Sequence, residues 1–161
     1  MNKRNGFFRW HRAVILGALA ALVLVVPASA GGATVTRGEF HEFAAGAGMH
    51  IGGHAVMVRT ADGRTFVFVH VRGLAPNTAY ASHVHDQACN DGLADGHYQH
   101  AGTAVNDDNE IWPSFTTDAA GIGNGNARND WTARTEARSV VVHTVGASGT
   151  PILKIACADL E

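Results

Sequence analysis

The feature that most constrains the fold is an alternation of apolar and polar residues in short segments. Successive side chains of a β-strand point to opposite faces, so this alternation predicts half-buried strands. Turn sequences such as Ala61-Asp62-Gly63 and Asp118-Ala119-Ala120-Gly121 separate several of the segments. Beyond residue 30, no stretch keeps a helical period for long. The predicted strands are 34–40, 54–60, 65–71, 79–85, 111–117, 122–128, 138–144 and 151–157.

This set of short strands predicts an antiparallel sandwich or barrel around one core. Residues 31–161 are of a length that suits a single domain. The segment 89–110 is long and polar, and we expect it to be irregular. Because a long ordered loop in a compact domain is usually functional, this segment is a candidate part of a site.

The first 30 residues are typical of a secretory signal peptide. Four basic residues (Lys3, Arg4, Arg9 and Arg12) precede an apolar run at 13–26, and Pro27-Ala28-Ser29-Ala30 has the small residues that signal peptidase recognises. The apolar run is shorter than the roughly 20 residues that a membrane span needs. We therefore expect cleavage before Gly31 and an exported protein, periplasmic or extracellular, with an uncleaved anchor as the alternative.

Removal of this peptide would leave an acidic chain. Four of the 12 Lys and Arg residues lie in it, which leaves eight against 14 Asp and Glu residues. Such a charge opposes binding to nucleic acid and to anionic lipid. We therefore expect neither a nucleic acid nor, after cleavage, a membrane as partner. The sequence does not define an oligomeric state, and a homodimer remains open.

The two cysteines, Cys89 and Cys157, both lie in the part expected to be exported. An oxidising compartment lets such a pair form a disulfide and keep it. Neither residue belongs to a C-x-x-C metal or redox motif. The sequence therefore favours a disulfide over the alternative, two buried free thiols.

Candidate metal ligands begin at His83-Val84-His85. Two histidines at i and i+2 of a strand project from the same face, so both rings can reach one ion. An exposed polar pair would give the same pattern. His97 and His143 are two further candidates, the latter ending the apolar run 140–142. Four imidazoles without a thiolate suit copper or zinc, and redox chemistry favours copper.

These residues resemble the motifs of copper/zinc superoxide dismutases (SODs). The string Val71-Arg72-Gly73-Leu74-Ala75-Pro76, with the H-x-H and Cys89 after it, is similar to the family's G-L-x-P and H-x-H segment. Gly96-His97 resembles the pair that carries the family's bridging ligand. The segment 139–143 resembles the strand that ends in the last copper histidine, and 154–157 resembles the segment that ends in the second disulfide cysteine.

The resemblance runs from about Val35 to Leu160 and implies both fold and function. The implied fold is all-β: an eight-stranded antiparallel Greek-key sandwich or barrel of immunoglobulin-like architecture. The implied function is that of a copper-dependent superoxide dismutase with a Cys89–Cys157 disulfide, in which superoxide becomes dioxygen and hydrogen peroxide. His97 would release and regain copper and deliver a proton. The implied copper ligands are His83, His85, His97 and His143.

The loop after the bridging histidine departs from the family pattern. It offers only His100, Asp107, Asp108 and Glu110 as further ligands, and Ile111 stands where the family has its zinc aspartate. A structural zinc site needs four closed ligands, so we consider zinc doubtful and expect a copper-only, secreted bacterial-type member. Glu110 or His100 would then orient His97, unless Glu110 is an ordinary solvated carboxylate.

Two more departures concern the end of the chain. The connection from residue 144 to 151 is little more than a turn, which predicts an exposed copper site. Lys154 stands where the family has the arginine that guides superoxide, and lysine keeps the charge but lacks the planar fork of donors. We expect Lys154, with His97, to be catalytic and activity to be reduced. The alternatives are a solvated surface lysine and a non-enzymatic extracytoplasmic copper-binding protein on the same fold.

Other histidines lie outside the family's metal pattern, among them His41. Met49, His50, His54 and Met57 lie in a segment that we interpret as an exposed glycine-rich hairpin; because they are ligand types that copper accepts, a second copper-acquiring site is the alternative. His70 shares a predicted strand face with Phe66 and Phe68. We interpret it as a packing or rim residue.

Overall fold

The computed structural model describes residues 31–90 and 93–161. The signal peptide predicted for residues 1–30 lies outside the described residues. Within the described ranges, no helix is long and apolar enough to cross a membrane.

The described residues form two antiparallel sheets. Their strands are β1 Thr34–Glu39, β2 His41–Glu42, β3 Gly52–Arg59, β4 Thr65–Arg72, β5 Ala79–His85, β6 Phe115–Thr116, β7 Gly123–Asn129, β8 Ser139–Val145 and β9 Pro151–Asp159. A four-stranded sheet has the order β1-β3-β4-β7, and a five-stranded sheet has the order β2-β9-β8-β5-β6. Strands that are not consecutive in the chain, such as β4 with β7 and β5 with β8, pair in these sheets, so the chain crosses between the two layers. The predicted all-β antiparallel sandwich is confirmed.

Two predicted strands differ from those observed. The first changes sheets at the buried residue Phe40, so that β1 pairs with β3 whereas β2 pairs with β9. The strand predicted at 111–117 keeps ladder pairing only at Phe115–Thr116. Pro113 lacks the N–H that a ladder needs, which accounts for the late start of that strand.

The core lies between the sheets and follows the predicted alternation. In β4, the side chains of Val67, Val69 and Val71 are buried, and they join one cluster with Val140 and Val142 of β8. The intervening β4 side chains point away from this core. Burial of these branched side chains supplies the main stabilisation of the sandwich, at about 1.5–3 kcal/mol for each fully buried side chain.

The five-stranded sheet is covered on its second face as well. Every residue of β5 from Tyr80 to His85 is buried, although side chains of one strand alternate between faces. Val141 belongs to a separate buried cluster, formed with Phe43, Ala94 and the two cysteines. The segment after β5 therefore covers the outer face of this sheet, and side chains of β5 and β8 that point outward are also buried.

A disulfide joins that covering segment to β9. Cys89 and Cys157 are bonded across a sequence separation of 68 residues, and both are buried. The backbone N–H of Cys89 also donates to the Asp159 carboxylate at 2.8 Å. The predicted pairing is confirmed, and it fixes the start of the loop against the sheet.

We predict that reduction of this disulfide lowers the free energy of unfolding by about 4 kcal/mol, because the open chain regains the entropy of a long loop. Urea unfolding of the oxidised protein and of a Cys89→Ser, Cys157→Ser variant measures the difference. Thiol titration of the oxidised, denatured protein serves as the control and should find no free thiol. Equal unfolding midpoints would contradict the prediction.

Candidate metal centre

Three of the predicted ligands converge beside the end of β5. Alternation places His83 and His85 on the covered outer face, and an isolated bridge between His85 and His97 brings the third ring to them. One ligand atom from each ring lies within 4.8 Å of the others. The ring centroids are 4.3 Å apart for His83 and His97 and 5.0 Å for His85 and His97. This spacing allows the three imidazoles to bind one ion.

The fourth predicted ligand, His143, approaches from β8. Its Cα is paired with that of Ala81, so its side chain shares the outer face with the β5 histidines. The ring centroid lies 5.1 Å from that of His83 and 5.7 Å from that of His85. It lies beside the group of three, outside the set whose ligand atoms are all mutually close.

Among the described residues, three of these imidazoles have a buried nitrogen without a hydrogen-bond partner: Nδ1 of His83, Nε2 of His85 and Nε2 of His143. An unpaired buried polar atom costs about 1–3 kcal/mol, so three together call for an explanation. A metal ion bound among the rings would give these nitrogens a partner. Imidazole nitrogens without thiolates fit a borderline ion such as copper or zinc.

The same burial keeps these rings neutral. Loss of solvent, aided by the charge of neighbouring histidines, lowers the pKa of His83 to about 3 and that of His143 to about 4. Burial likewise lowers the pKa of His85, to about 2. Neutral imidazole is the form that binds metal, so the site is prepared for an ion at neutral pH.

A buried carboxylate orients the His97 ring. Nδ1 of His97 donates to Oε2 of Glu110 at 2.7 Å. Glu110 has only 1% of its surface exposed, and it also accepts from Trp112 Nε1 at 2.8 Å and Gln99 Nε2 at 3.0 Å. Burial alone would raise the pKa of Glu110, but these hydrogen bonds lower it below its ordinary value. The charged carboxylate therefore holds the proton on Nδ1 and leaves Nε2 of His97 free for a metal.

His100, the other candidate for this orienting role, lies elsewhere. Its ring stacks on Trp131 with centroids 4.2 Å apart. Among the other positions considered for zinc, Ile111 is buried in the core, and Asp107 and Asp108 are exposed. Of the described residues, only His83, His85 and His97 form a group of three or more close metal-ligand side chains.

A backbone carbonyl orients His85 and also binds Lys154. His85 Nδ1 donates to the Ala94 carbonyl at 2.6 Å, and Lys154 Nζ donates to the same oxygen at 3.1 Å. Lys154 Nζ also donates to the Leu93 carbonyl at 3.1 Å and lies 3.7 Å from an Asp95 carboxylate oxygen. Its side chain is 26% exposed, so Lys154 is held beside the site rather than freely solvated.

Access to the histidines is through a depression of about 310 Å³. The connection between β8 and β9 is short, as predicted, and contributes Gly149 to this depression. The His97 side chain is 30% exposed, whereas the other three histidines are buried. The site is therefore open mainly at His97. The depression is lined by Ala81, His83, His97, Val105, Trp112, Ser114, Gly149 and Pro151.

A comparison with solved structures shows which known fold this chain resembles. A crystal structure of a double mutant of a SOD-like protein from Bacillus subtilis matches 77% of this chain and 95% of its own, with a TM-score of 0.52 and 14% sequence identity. The fold is SOD-like. The histidine group and the disulfide are compatible with that fold. No protein-family model and no curated protein sequence matches the chain.

The second copper-acquiring site, which was the alternative interpretation of the amino-terminal residues, is not assembled. Met57 is fully buried in the core, and Met49 packs against that core. His54 lies an odd number of residues from Met57 in β3, so their side chains point to opposite faces. The hypothesis was wrong because it used ligand types without regard to strand alternation.

Three groups take part in the site although the sequence did not indicate them: the side chains of Gln99 and Trp112, and the backbone carbonyl of Ala94. A carbonyl oxygen has no residue-type signal, and a glutamine in a polar loop has no distinctive one. Trp112 was the detectable case, because an indole N–H near a carboxylate in an otherwise polar segment needs an acceptor.

We predict that Glu110→Gln weakens metal binding about 10–100-fold, because the neutral amide no longer holds the proton on Nδ1 of His97. Metal titration against a competing chelator measures the affinity, and the NMR signals of the His97 ring report its tautomer. Glu136→Gln is the matched control, since Glu136 is exposed and its polar contacts among the described residues are with Arg134 and Thr135 rather than with a site histidine. Equal affinities for both variants would contradict the prediction.

Proposed function

We propose that this chain is an exported copper-dependent superoxide dismutase whose copper ligands are His83, His85, His97 and His143. The observation that carries the proposal is the set of three buried, unpartnered imidazole nitrogens beside the free Nε2 of His97. The SOD-like fold supports it. Zinc is not part of the proposal, because the Glu110 carboxylate takes the hydrogen-bonding position at Nδ1 of His97, which is the nitrogen that would otherwise bind a second ion.

The choice of copper depends on the donor set and on the reaction. Borderline imidazole ligands favour Cu(II) over the other common divalent ions. Copper, when bound, would supply one-electron chemistry, so that one superoxide loses an electron to become dioxygen and a second gains that electron and two protons to become hydrogen peroxide.

His97 is suited to proton delivery. It is the most exposed of the four rings, and its Nδ1 proton is committed to Glu110. Nε2 is then the nitrogen that would alternate between holding copper and delivering a proton to the reduced substrate. Glu110 keeps the ring in one orientation during this exchange.

Lys154 supplies local attraction for the anion. The charge of residues 31–161 opposes an anionic substrate, so a cation beside the site is needed to raise the encounter rate. Lys154 is the cross-strand partner of His143, and its hydrogen bonds to Leu93 and Ala94 fix its charge there.

Export is supported by two features. Residues 1–30 have the pattern of a cleavable signal peptide, and Cys89 is bonded to Cys157. A disulfide of this kind persists in an oxidising compartment, which fits the periplasm or the extracellular space.

A non-enzymatic copper-binding protein is the second candidate function. It is favoured by the hydrogen bonds that commit Lys154 Nζ to two carbonyl oxygens, because these leave it fewer donors for an anion. The ligands would be the same four histidines, and the difference would lie in turnover alone.

We predict that protein purified from its native host contains one copper and little zinc per chain, and that the copper-loaded protein accelerates superoxide decay in pulse radiolysis. Mass-spectrometric metal analysis gives the first result. His143→Ala, with one ligand removed, should bind copper more weakly and lose activity. Near-stoichiometric zinc would contradict the copper-only assignment, and full copper loading without turnover would support the second candidate.

We predict that Lys154→Ala lowers kcat/KM for dismutation several-fold while copper content stays near one per chain, because the lost charge acts on the encounter rate. Raising ionic strength should slow the parent more than this variant. Lys154→Arg should match or exceed the parent. Arg64→Ala is the control, since Arg64 is an exposed residue paired with Asp62. Equal salt dependence for Lys154→Ala and the parent would refute the role.

A further inference from the structure

The outer face of the four-stranded sheet carries a row of polar side chains, one from each strand. The members are cross-strand partners in register: Glu39 of β1, His54 of β3, His70 of β4 and Asn124 of β7. Their neighbours along the strands, such as Phe40, Ala55 and Val71, are buried in the core. Because strand side chains alternate, the row points away from the core.

The two histidines in this row have the spacing of a metal-binding pair. Their ring centroids are 5.6 Å apart with an interplanar angle of 36°. A metal–nitrogen bond is about 2.0–2.1 Å, so two rings on one ion have centroids about 4.5–6 Å apart. In the four-histidine centre, the corresponding separations range from 4.3 Å to 6.4 Å. His54 and His70 therefore fall within the range that the main site displays.

Asn124 prepares His70 as a ligand. Nδ1 of His70 lies 2.9 Å from Oδ1 of Asn124. An amide oxygen only accepts hydrogen bonds, so Nδ1 is the donor and Nε2 keeps its lone pair. The same device, an oxygen on Nδ1 that leaves Nε2 free, orients His97 through Glu110.

The pair is accessible, and the charged groups around it nearly balance. Glu39 is paired across the strands with His54 and adds a carboxylate on the same face, where it is exposed and bonded to Arg37 at 2.8 Å, and the exposed Arg72 follows His70 on that face. Both histidines are half-buried, so each ring is partly immobilised yet accessible from solvent. Partial immobilisation lowers the entropy that the side chains lose when they bind an ion.

We propose that His54 and His70 bind one borderline divalent cation, with Cu(II) the preferred ion, on the outer face of the four-stranded sheet. Asn124 orients His70. This surface pair is separate from the four-histidine centre, which lies on the five-stranded sheet. With two imidazoles instead of four, it binds more weakly and fills second. Cu(II) is the probe of choice because it binds nitrogen ligands more tightly than zinc does.

Calorimetric titration of the metal-free chain with Cu(II) tests the surface pair. We expect the parent to bind a tight first equivalent and a weaker second one. His54→Ala and His70→Ala should each weaken the second equivalent at least about tenfold and leave the first unchanged. His41→Ala is the matched control, since His41 is an exposed histidine outside the row, and it should retain both equivalents. A second equivalent that survives both substitutions, or its absence from the parent, would overturn the proposal.

A second measurement keeps the result independent of folding and of dismutation. In NMR spectra of the parent, Cu(II) added beyond the first equivalent should broaden the ring signals of His54 and His70 before those of His41. Broadening at His41 alone would contradict the surface pair. The experiment reads only the second equivalent of Cu(II). If the protein proves not to be a dismutase, binding at His54 and His70 can still be observed. If these two residues prove not to bind Cu(II), the proposal for the four-histidine centre is unaffected.

Discussion

The site depends on how the segment after β5 is held over the outer face of the five-stranded sheet. The Cys89–Cys157 disulfide fixes the start of the segment, and hydrogen bonds from His85 and Lys154 fix it at Ala94. Without this cover, His83 and His85 would be ordinary exposed side chains of an antiparallel strand. With it, they become buried and neutral, and one nitrogen of each ring has no hydrogen-bond partner among the described residues. The covering loop thus converts a simple alternating strand into a candidate metal centre.

Oxygen atoms outside the ligand set decide which nitrogen of each ring is free. The Ala94 carbonyl takes the proton of His85 Nδ1, and the Glu110 carboxylate takes that of His97 Nδ1. A neutral acceptor suits a deeply buried ring, and a charged one suits the ring that is partly exposed. The negative charge of the buried Glu110 carboxylate is stabilised because Trp112 and Gln99 also donate hydrogen bonds to it.

Sequence patterns predicted the parts of the fold that depend on alternation and on side-chain type. Local rules of this kind predicted that the two histidines of the H-x-H in β5 share one face, that the two cysteines are bonded, and that the strands form an antiparallel sandwich. The change of sheets at Phe40 did not, since a strand that crosses between sheets has the same pattern as one that stays. The pairing of His54 with His70 was also missed, because cross-strand register is set by tertiary structure and has no marker in either segment.

The position of the second cysteine in β9, the last strand in the chain order, also sets an order of maturation. The ring it closes spans 68 residues of separation, and closing so long a loop is a late and slow event unless the intervening strands have already folded. The β5 histidines emerge early, but their cover cannot be fastened until β9 has docked beside β8. A chain interrupted before β9 would therefore present the β5 histidines without the disulfide that holds their cover in place.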